Sequence, residues 1–349
     1  MLVRAARMDD LPALLELASG VGSGLTSLPA SEERLSRRLQ TVAASFAGEL
    51  PNADADYLFV LEDGDGQVVG TSGMVAAAGL REPWYSYRVG LTVTANRELD
   101  VYRQQPTLFL NNDLTGATAL CSLYLSVPHR HSLNGRLLSK ARFIHMAEFG
   151  NDFSPRIIAE IRGLSDRQGR SPFWDSLGRH FFRMDFARAD YLTGTGSKTF
   201  IAEMMPKFPL YTCFLSQEAR DAIARVHPDS EPALAMLTEE GLNYQGYIDI
   251  FDGGITIEAP RNQVRSIHES QQLILATGTP GDDAQTYLVH NRERDKCRIT
   301  AAAGRIAAGS LVVAPETAEL LRLRAGAPVR AVALVGAADG VADPYAGMS

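Results

Sequence analysis

Arg130 and Arg136 sit in a short polar turn, Pro128-His129-Arg130-His131-Ser132-Leu133-Asn134-Gly135-Arg136, directly after the largely apolar run Leu120-Cys121-Ser122-Leu123-Tyr124-Leu125-Ser126-Val127. The run reads as a buried strand over 119–127, and the residues after the turn as a helix over 136–147. A helix start presents N–H groups without intrahelical partners and the positive end of the helix dipole, which suits a pyrophosphate. The two guanidinium groups would add charge to a site already built for anions.

Proton transfer near neutrality calls for an imidazole, and the chain has seven histidines. His227 stands in Val226-His227-Pro228, where the proline restricts it to extended conformations ahead of the next helix. Such a ring, titrating near pH ~6.5, can accept a proton from an amine and return it to a thiolate of pKa about 8.5. A helix-entry histidine that only packs fits the same context. His129 and His131 flank Arg130 too closely for a metal pair and read as solvated turn residues or phosphate contacts. His145, beside Phe143 and Met146, reads as a partly buried structural residue. His180, His268 and His290 have no evident partners. Cys121, Cys213 and Cys297 lack metal-ligand spacing and make an odd number, which fits a reducing cytoplasm better than a disulfide scaffold. No metal site is expected.

The elements that must position these residues alternate in type. Leu2 to Ala5 reads as a strand, and a helix starts at Met8-Asp9-Asp10-Leu11, with apolar residues at helical spacing. A Gly-, Ser- and Thr-rich loop fills 21–29, and Ser31-Glu32-Glu33 opens a second helix. Tyr57 to Glu62 and Val68 to Ala77 form a hairpin about Asp63-Gly64-Asp65-Gly66. Leu91 to Val101 and Thr107 to Leu110 are further strands in an insertion near 80–116. Strand 119–127, helix 136–147 and strand 157–161 follow. Phe173 to Leu177 reads as a helix ended by Gly178, then a strand over 181–186. Ala233 to Glu240, Gly241 and Tyr244 to Phe251 repeat that helix–Gly–strand shape, which predicts a duplicated or elaborated core. Short β-like runs from about 260 to 338, with a helix at 315–321, predict a small appendage resembling a partly open barrel. The last residues read as a tail. The expected division is 1–187, 188–259 carrying His227, 260–338 and 339–349.

Composition bounds the rest. At 349 residues, 45% hydrophobic and 21% charged, the chain is an ordinary globular protein. A net charge of −7 argues against a nucleic-acid binder. The N-terminus lacks the apolar core of a signal peptide, and no run of about 18 apolar residues exists. A soluble, cytoplasmic protein is expected.

The strand, turn and helix at 119–147 resemble the coenzyme A site of the GNAT acyltransferase superfamily, which uses an Arg/Gln-x-x-Gly-x-Gly/Ala loop. Leu133 stands where the first glycine would be. Over nearly its whole length the chain resembles the arginine N-succinyltransferase family. Matching segments include Gly24-Leu25-Thr26-Ser27-Leu28-Pro29, Tyr57-Leu58-Phe59-Val60-Leu61-Glu62-Asp63, Glu82-Pro83-Trp84-Tyr85, Asn112-Asp113-Leu114-Thr115-Gly116 and Ser171-Pro172-Phe173-Trp174. Others are Ala202-Glu203-Met204-Met205-Pro206, Val226-His227-Pro228 and Tyr247-Ile248-Asp249-Ile250-Phe251-Asp252-Gly253-Gly254. The turn with Leu133-Asn134-Gly135 is similar to that of the beta chain of the two-chain enzyme of pseudomonad type.

The resemblance implies an α+β fold: a GNAT-like acyltransferase core with a small, mainly-β, barrel-like C-terminal domain. It implies succinyl transfer from succinyl-CoA, as co-substrate, to the α-amino group of arginine or ornithine in arginine catabolism, with no permanently bound cofactor. Attack would be direct, in a ternary complex, with His227 as the proton-transfer residue. Leu123 would hold succinyl-CoA through its backbone, one freed amide of that strand stabilising the oxyanion. Leu125, Arg130, Ser132, Leu133, Asn134, Gly135 and Arg136 complete the expected coenzyme site. Glu160, Asp166, Glu203, Asp249 and Asp252 are candidates for the substrate guanidinium, and Arg88, Arg162 and Lys207 for the succinyl carboxylate. Loop 22–27 would cover the amine site or serve as a plain connector. A homologous alpha chain is the expected partner. Two other readings stay open: a GNAT enzyme acetylating another amine, and a non-catalytic partner subunit, motivated by Leu133 crowding the pyrophosphate.

Overall fold

A computed structural model describes residues 1–20, 27–166, 168–182, 184–186, 188–189 and 205–336. In chain order the first half runs β1 (Leu2–Ala5), α1 (Leu11–Gly20), α2 (Glu32–Ala47), β2 (Asp56–Glu62), β3 (Val68–Val75), β4 (Ser86–Asn96), β5 (Val101–Asn111), β6 (Thr118–Leu125), α3 (Asn134–Glu148) and β7 (Arg156–Glu160). There follow α4 (Pro172–Ser176), α5 (Gly178–Phe181), β8 (Leu210–Tyr211), α6 (Gln217–Ala222), α7 (Glu231–Glu239), β9 (Asn243–Ile248), β10 (Ile255–Pro260) and α8 (Arg265–His268). The C-terminal elements are β11 (Gln271–Thr277), β12 (Gln285–His290), β13 (Arg298–Ala307), β14 (Ser310–Val313), α9 (Pro315–Leu321) and β15 (Pro328–Ala333).

The central sheet runs β1-β2-β3-β6-β7-β10-β9. All its pairings are antiparallel except β6 with β7. Hairpin β2–β3 forms as expected, because Asp63 Oδ1 accepts from the N–H groups of Asp65 and Gln67, both at 2.9 Å. Alternation along β3 then assigns the helices to opposite faces. Ser72 Oγ donates to the Leu138 carbonyl of α3 at 2.9 Å, whereas a Cβ on Gly73 would lie 3.1 Å from Arg38 Nη2 of α2.

The insertion expected near 80–116 is the long hairpin β4–β5, in register from Ser86↔Asn111 to Asn96↔Val101. Only its base joins the sheet, through β9 at Tyr87 and Arg88 and β8 at Thr107 and Leu108. The strand expected over 181–186 is not formed. Gly178 opens another helical turn instead of ending one, and Phe182 and Phe186 are buried around Trp174. An aromatic run suits a strand by composition, but here it fills the far side of a helical cluster. Of the two readings offered by the repeated helix–Gly–strand shape, the topology is that of one elaborated core. β9 and β10 extend the same sheet as β7.

The C-terminal strands close on themselves in the order β12-β15-β11-β14-β13, with β12 also pairing β13. This five-stranded barrel has its own core, including Leu273, Leu275, Val289, Leu311 and Val329, with Leu321 of α9 packed into it. β10 belongs to the central sheet, and the barrel begins after it. The barrel joins that sheet where β13 pairs β1 at Val3↔Ile299. Loop 22–26, Glu203 and the tail lie outside the described residues.

Candidate active site

The pairing of β6 with β7 stops after three residue pairs, the last being Leu120↔Ala159. Past it the two strands diverge, and the β7-facing edge of 121–125 has no strand opposite. Divergence is built into β6 itself. Ser122 takes a left-handed φ of 51°, and the register with β3 slips between Thr71 and Gly73, a bulge that bends the strand. Thr71 Oγ1 donates to the Ser122 carbonyl at 2.8 Å, and Ser122 N–H donates to Ser27 Oγ at 2.9 Å. The gap opens into a cavity of about 800 Å³ lined by Leu120, Cys121, Ser122 and Leu123 on one strand and by Ala159, Glu160, Ile161 and Arg162 on the other.

The turn after β6 leads straight into α3. Leu133 is the residue before the helix, and no side chain caps it. The N–H groups of Asn134, Gly135 and Arg136 therefore precede the first intrahelical bond, from Leu137 N–H to the Leu133 carbonyl at 2.8 Å. Leu133 itself has φ −96°, and its half-buried side chain packs against the main core. Asn134 Nδ2 donates to the His129 carbonyl at 3.1 Å and braces the turn. Ser132, exposed and at φ 54°, lies within 3.2 Å of His131 Nδ1. A side chain at Gly135 would meet nothing nearer than Met236 Sδ at 3.9 Å.

The two arginines fare differently. Arg130 Nε donates to the Leu125 carbonyl at 2.8 Å, with the guanidinium 5.5 Å from the Tyr124 ring centre. The Arg136 guanidinium is paired bidentately with Glu239 of α7, so its side chain is committed to a salt bridge.

His227 stands just behind the cavity. Its N–H donates to the Arg162 carbonyl at 2.9 Å, and its own carbonyl accepts from Ser230 N–H at 2.8 Å. Arg162 and Ser230 both line the cavity, whereas His227 is not part of that lining. Nδ1 accepts from Asp229 N–H at 3.2 Å, so the neutral ring carries its proton on Nε2. Burial and the nearby Arg162 charge hold the imidazole below its ordinary pKa, against the opposing pull of Asp229.

Of the acids named from the sequence, Glu160, Asp249 and Asp252 line the cavity. Asp252 spans a backbone gap, accepting from Gly163 N–H at 2.7 Å and Gly254 N–H at 2.8 Å. That seam is closed enough that a Cβ on Gly254 would overlap the Ile161 carbonyl oxygen. Asp166 accepts from Gln168 and Arg170 N–H groups in its own turn and is not in the lining. Of the cations named, Arg162 lines the cavity. Arg88 donates to Tyr247 Oη at 2.6 Å, and Lys207 is exposed; neither reaches the lining. Glu82 and Trp84, from the matching segment Glu82-Pro83-Trp84-Tyr85, line it too, as do Arg38 and Arg142, which no motif marks in the sequence.

A second cluster lies away from the cavity. His145 of α3, His290 of β12 and Cys297 are all buried, with their donor atoms within 4.8 Å of one another. His290 Nδ1 accepts from Arg292 N–H at 2.7 Å, which puts its proton on Nε2, 3.1 Å from His145 Nδ1. A ligating nitrogen must be free of its proton, so this arrangement fits a neutral hydrogen-bonded seam better than a metal centre. Burial holds both rings well below their ordinary pKa, His290 down to about 3. Among the described residues no helix is long and apolar enough to cross a membrane.

Comparison with known proteins agrees with this geometry. A family model described as Arginine N-succinyltransferase beta subunit matches residues 1–266, and one for that subunit's C-terminal domain matches residues 271–333. The chain is 64% identical over 334 residues to the arginine N-succinyltransferase subunit beta of Pseudomonas aeruginosa, spanning 96% of this chain and 98% of that protein. It is 48% identical over 336 residues to an Escherichia coli arginine N-succinyltransferase, spanning 96% and 98%. Among solved structures, the arginine/ornithine succinyltransferase subunit AI of Pseudomonas aeruginosa aligns with a TM-score of 0.87 at 36% identity, over 96% of this chain and 99% of that one.

Proposed function

The chain belongs to the arginine N-succinyltransferase beta subunit family and is an acyltransferase, and from that premise we propose that it moves the succinyl group of succinyl-CoA onto the α-amino group of L-arginine. The observation that carries this reading is the early end of the β6–β7 pairing at Leu120, which opens a cavity beside the uncapped start of α3. In this reading the pantetheine arm lies along the unpaired edge at Leu123 and Leu125. The diphosphate rests on the N–H groups of Asn134, Gly135 and Arg136, with Ser132 and Arg130 beside it. Arg136 contributes its backbone, since its guanidinium is held by Glu239.

Transfer is direct. The deprotonated amine attacks the thioester carbon, a C–N bond forms, the C–S bond breaks, and a backbone N–H of the β6 edge holds the oxyanion. The ammonium gives its first proton to solvent; His227 takes the second from the attacking nitrogen as the amide forms and returns it to the departing thiolate, giving free CoA. No cysteine need act as nucleophile: Cys121 Sγ accepts from Arg38 Nη2 at 3.6 Å, and Cys213 is exposed outside the cavity. The acidic lining of Glu160, Asp249 and Asp252 suits a cationic acceptor.

A homologous alpha chain is the proposed partner, in keeping with the subunit names of both Pseudomonas aeruginosa relatives. The packing of Leu133 against the main core supports a working subunit over a passive one. The test is to assay the full chain, alone and with its alpha chain, pairing succinyl-CoA or acetyl-CoA with arginine or ornithine. CoA release that requires succinyl-CoA and an amino acid is expected. No turnover in either assembly, or equal use of acetyl-CoA, contradicts the reading.

A further inference from the structure

Three cations are buried among the described residues: Arg4, Lys140 and Arg142. Arg4 is paired with Asp10 and Glu62, and Lys140 with Glu240. Arg142, only 1% exposed, has no carboxylate partner among the described residues. Its Nε donates to the Ser139 carbonyl at 3.0 Å and Nη2 to Ser139 Oγ at 2.9 Å, both neutral groups on its own helix. Nη1 has no partner there. An unpaired buried charge is costly, and a fold that pairs its other two has a reason to leave this one open.

Its place supplies the reason. Arg142 lines the cavity together with Cys121 and Leu123. Burial pushes the guanidinium down to about 10, which leaves it cationic at neutral pH. Arg34, Arg37, Arg38 and Arg162 line the cavity too, and Arg34 is likewise engaged. Arg38 is spent on Asp56 in two bonds of 2.8 and 3.0 Å, and Arg37 on Glu33. Arg162 donates to Ser165 Oγ at 2.7 Å and adjoins His227, on the β7 side.

We propose that Arg142 receives the distal carboxylate of the succinyl group and so selects a succinyl over an acetyl donor. The assignment rests on the function proposed above. A thioester lying on the edge at Leu123 would carry its distal carboxylate three bonds from the reacting carbon, into the cavity that Arg142 also lines. There the planar fork meets a carboxylate in water-poor surroundings. An acetyl donor would leave the guanidinium dry and unpaired, and sites built around a buried polar group reject ligands that cannot satisfy it.

The experiment measures equilibrium binding of succinyl-CoA, acetyl-CoA and CoA, and kcat/KM with both donors at saturating arginine. It uses the full chain, in its complex with the alpha chain where that is the active form, as wild type, Arg142→Met and Arg142→Lys. Arg142→Met should lose about 100-fold in kcat/KM for succinyl-CoA and the binding advantage of succinyl-CoA over acetyl-CoA. CoA affinity, the KM for arginine and the melting temperature should hold, since an unpaired buried charge is being removed. Arg142→Lys should fall between, a point charge replacing a fork. A probe that needs no variant is the neutral amide analogue, succinamoyl-CoA, which wild type should bind as poorly as acetyl-CoA. Retained succinyl preference in Arg142→Met, a rise in the arginine KM instead, or tight binding of the amide analogue would each overturn the assignment. If wild type itself does not use succinyl-CoA, the function proposed above fails first.

Discussion

Replacing His227 by alanine is expected to lower kcat by about 10²–10⁴-fold, the usual worth of a positioned proton-transfer group, without weakening CoA binding. The separation follows from position: His227 adjoins Arg162 and Ser230 beyond the end of β7, whereas the coenzyme turn follows β6 and leads into α3. Loss of CoA affinity, or an unchanged kcat, would place proton transfer elsewhere. The pH profile gives a second reading of the same ring. Burial and Arg162 lower its pKa, so the acid limb of kcat/KM should fall below the unperturbed value of about 6.5. Activity drops as pH falls through that limb, because a protonated ring cannot take the proton of the attacking nitrogen. The limb should vanish in His227→Ala.

The second large effect is on stability in acid. His145 and His290 are fully buried, and both titrate far below an exposed imidazole because burial disfavours the charged form. Below about pH 6.5 the unfolded chain therefore takes up protons that the folded chain refuses, and stability falls with pH. For His290 this continues down to about 3. Each ring contributes about 1.4 kcal/mol per pH unit, so the pair removes on the order of 4 kcal/mol by about pH 5. His145→Phe should roughly halve the slope. The ring would sit among Phe46, Phe59 and Phe149, whose centres lie 5.4, 5.3 and 4.8 Å from that of His145. Losing the acceptor for His290 costs the variant stability equally at every pH and leaves the slope argument intact. A melting temperature that does not move between pH 7.5 and 5 would contradict the account, as would a full slope in the variant.

What could be read from the chain was what local chemistry enforces. The Asp63-Gly64-Asp65-Gly66 turn, the strand-to-helix junction at 125–134 and the short barrel strands all carry their own signals, and each forms close to its expected place. Convergence over long separations was not readable. Cys297 and His145 lie 152 residues apart in sequence, and nothing along the chain announces that α3 and the barrel bring them together. Arg142 is hidden for a different reason. It sits in a helix whose residues from Leu137 to Met146 are all buried, so no polar face distinguishes a working arginine from a structural one. Arg136 misleads in the opposite sense, since its position in the turn suggests phosphate while Glu239, 103 residues away, claims its side chain. The strand expected over 181–186 failed because aromatic residues favour strands and helix-packed clusters alike.

Hydrogen exchange of the full chain, in complex with its alpha chain where that is the stable form, with and without CoA, tests the central claim most directly. CoA should slow exchange at the amides of Leu123 and Leu125 and at those of Asn134, Gly135 and Arg136, with the barrel strands unaffected. Protection confined to other segments, or none at saturating CoA, would mean that the diverging strands and the start of α3 do not hold the coenzyme.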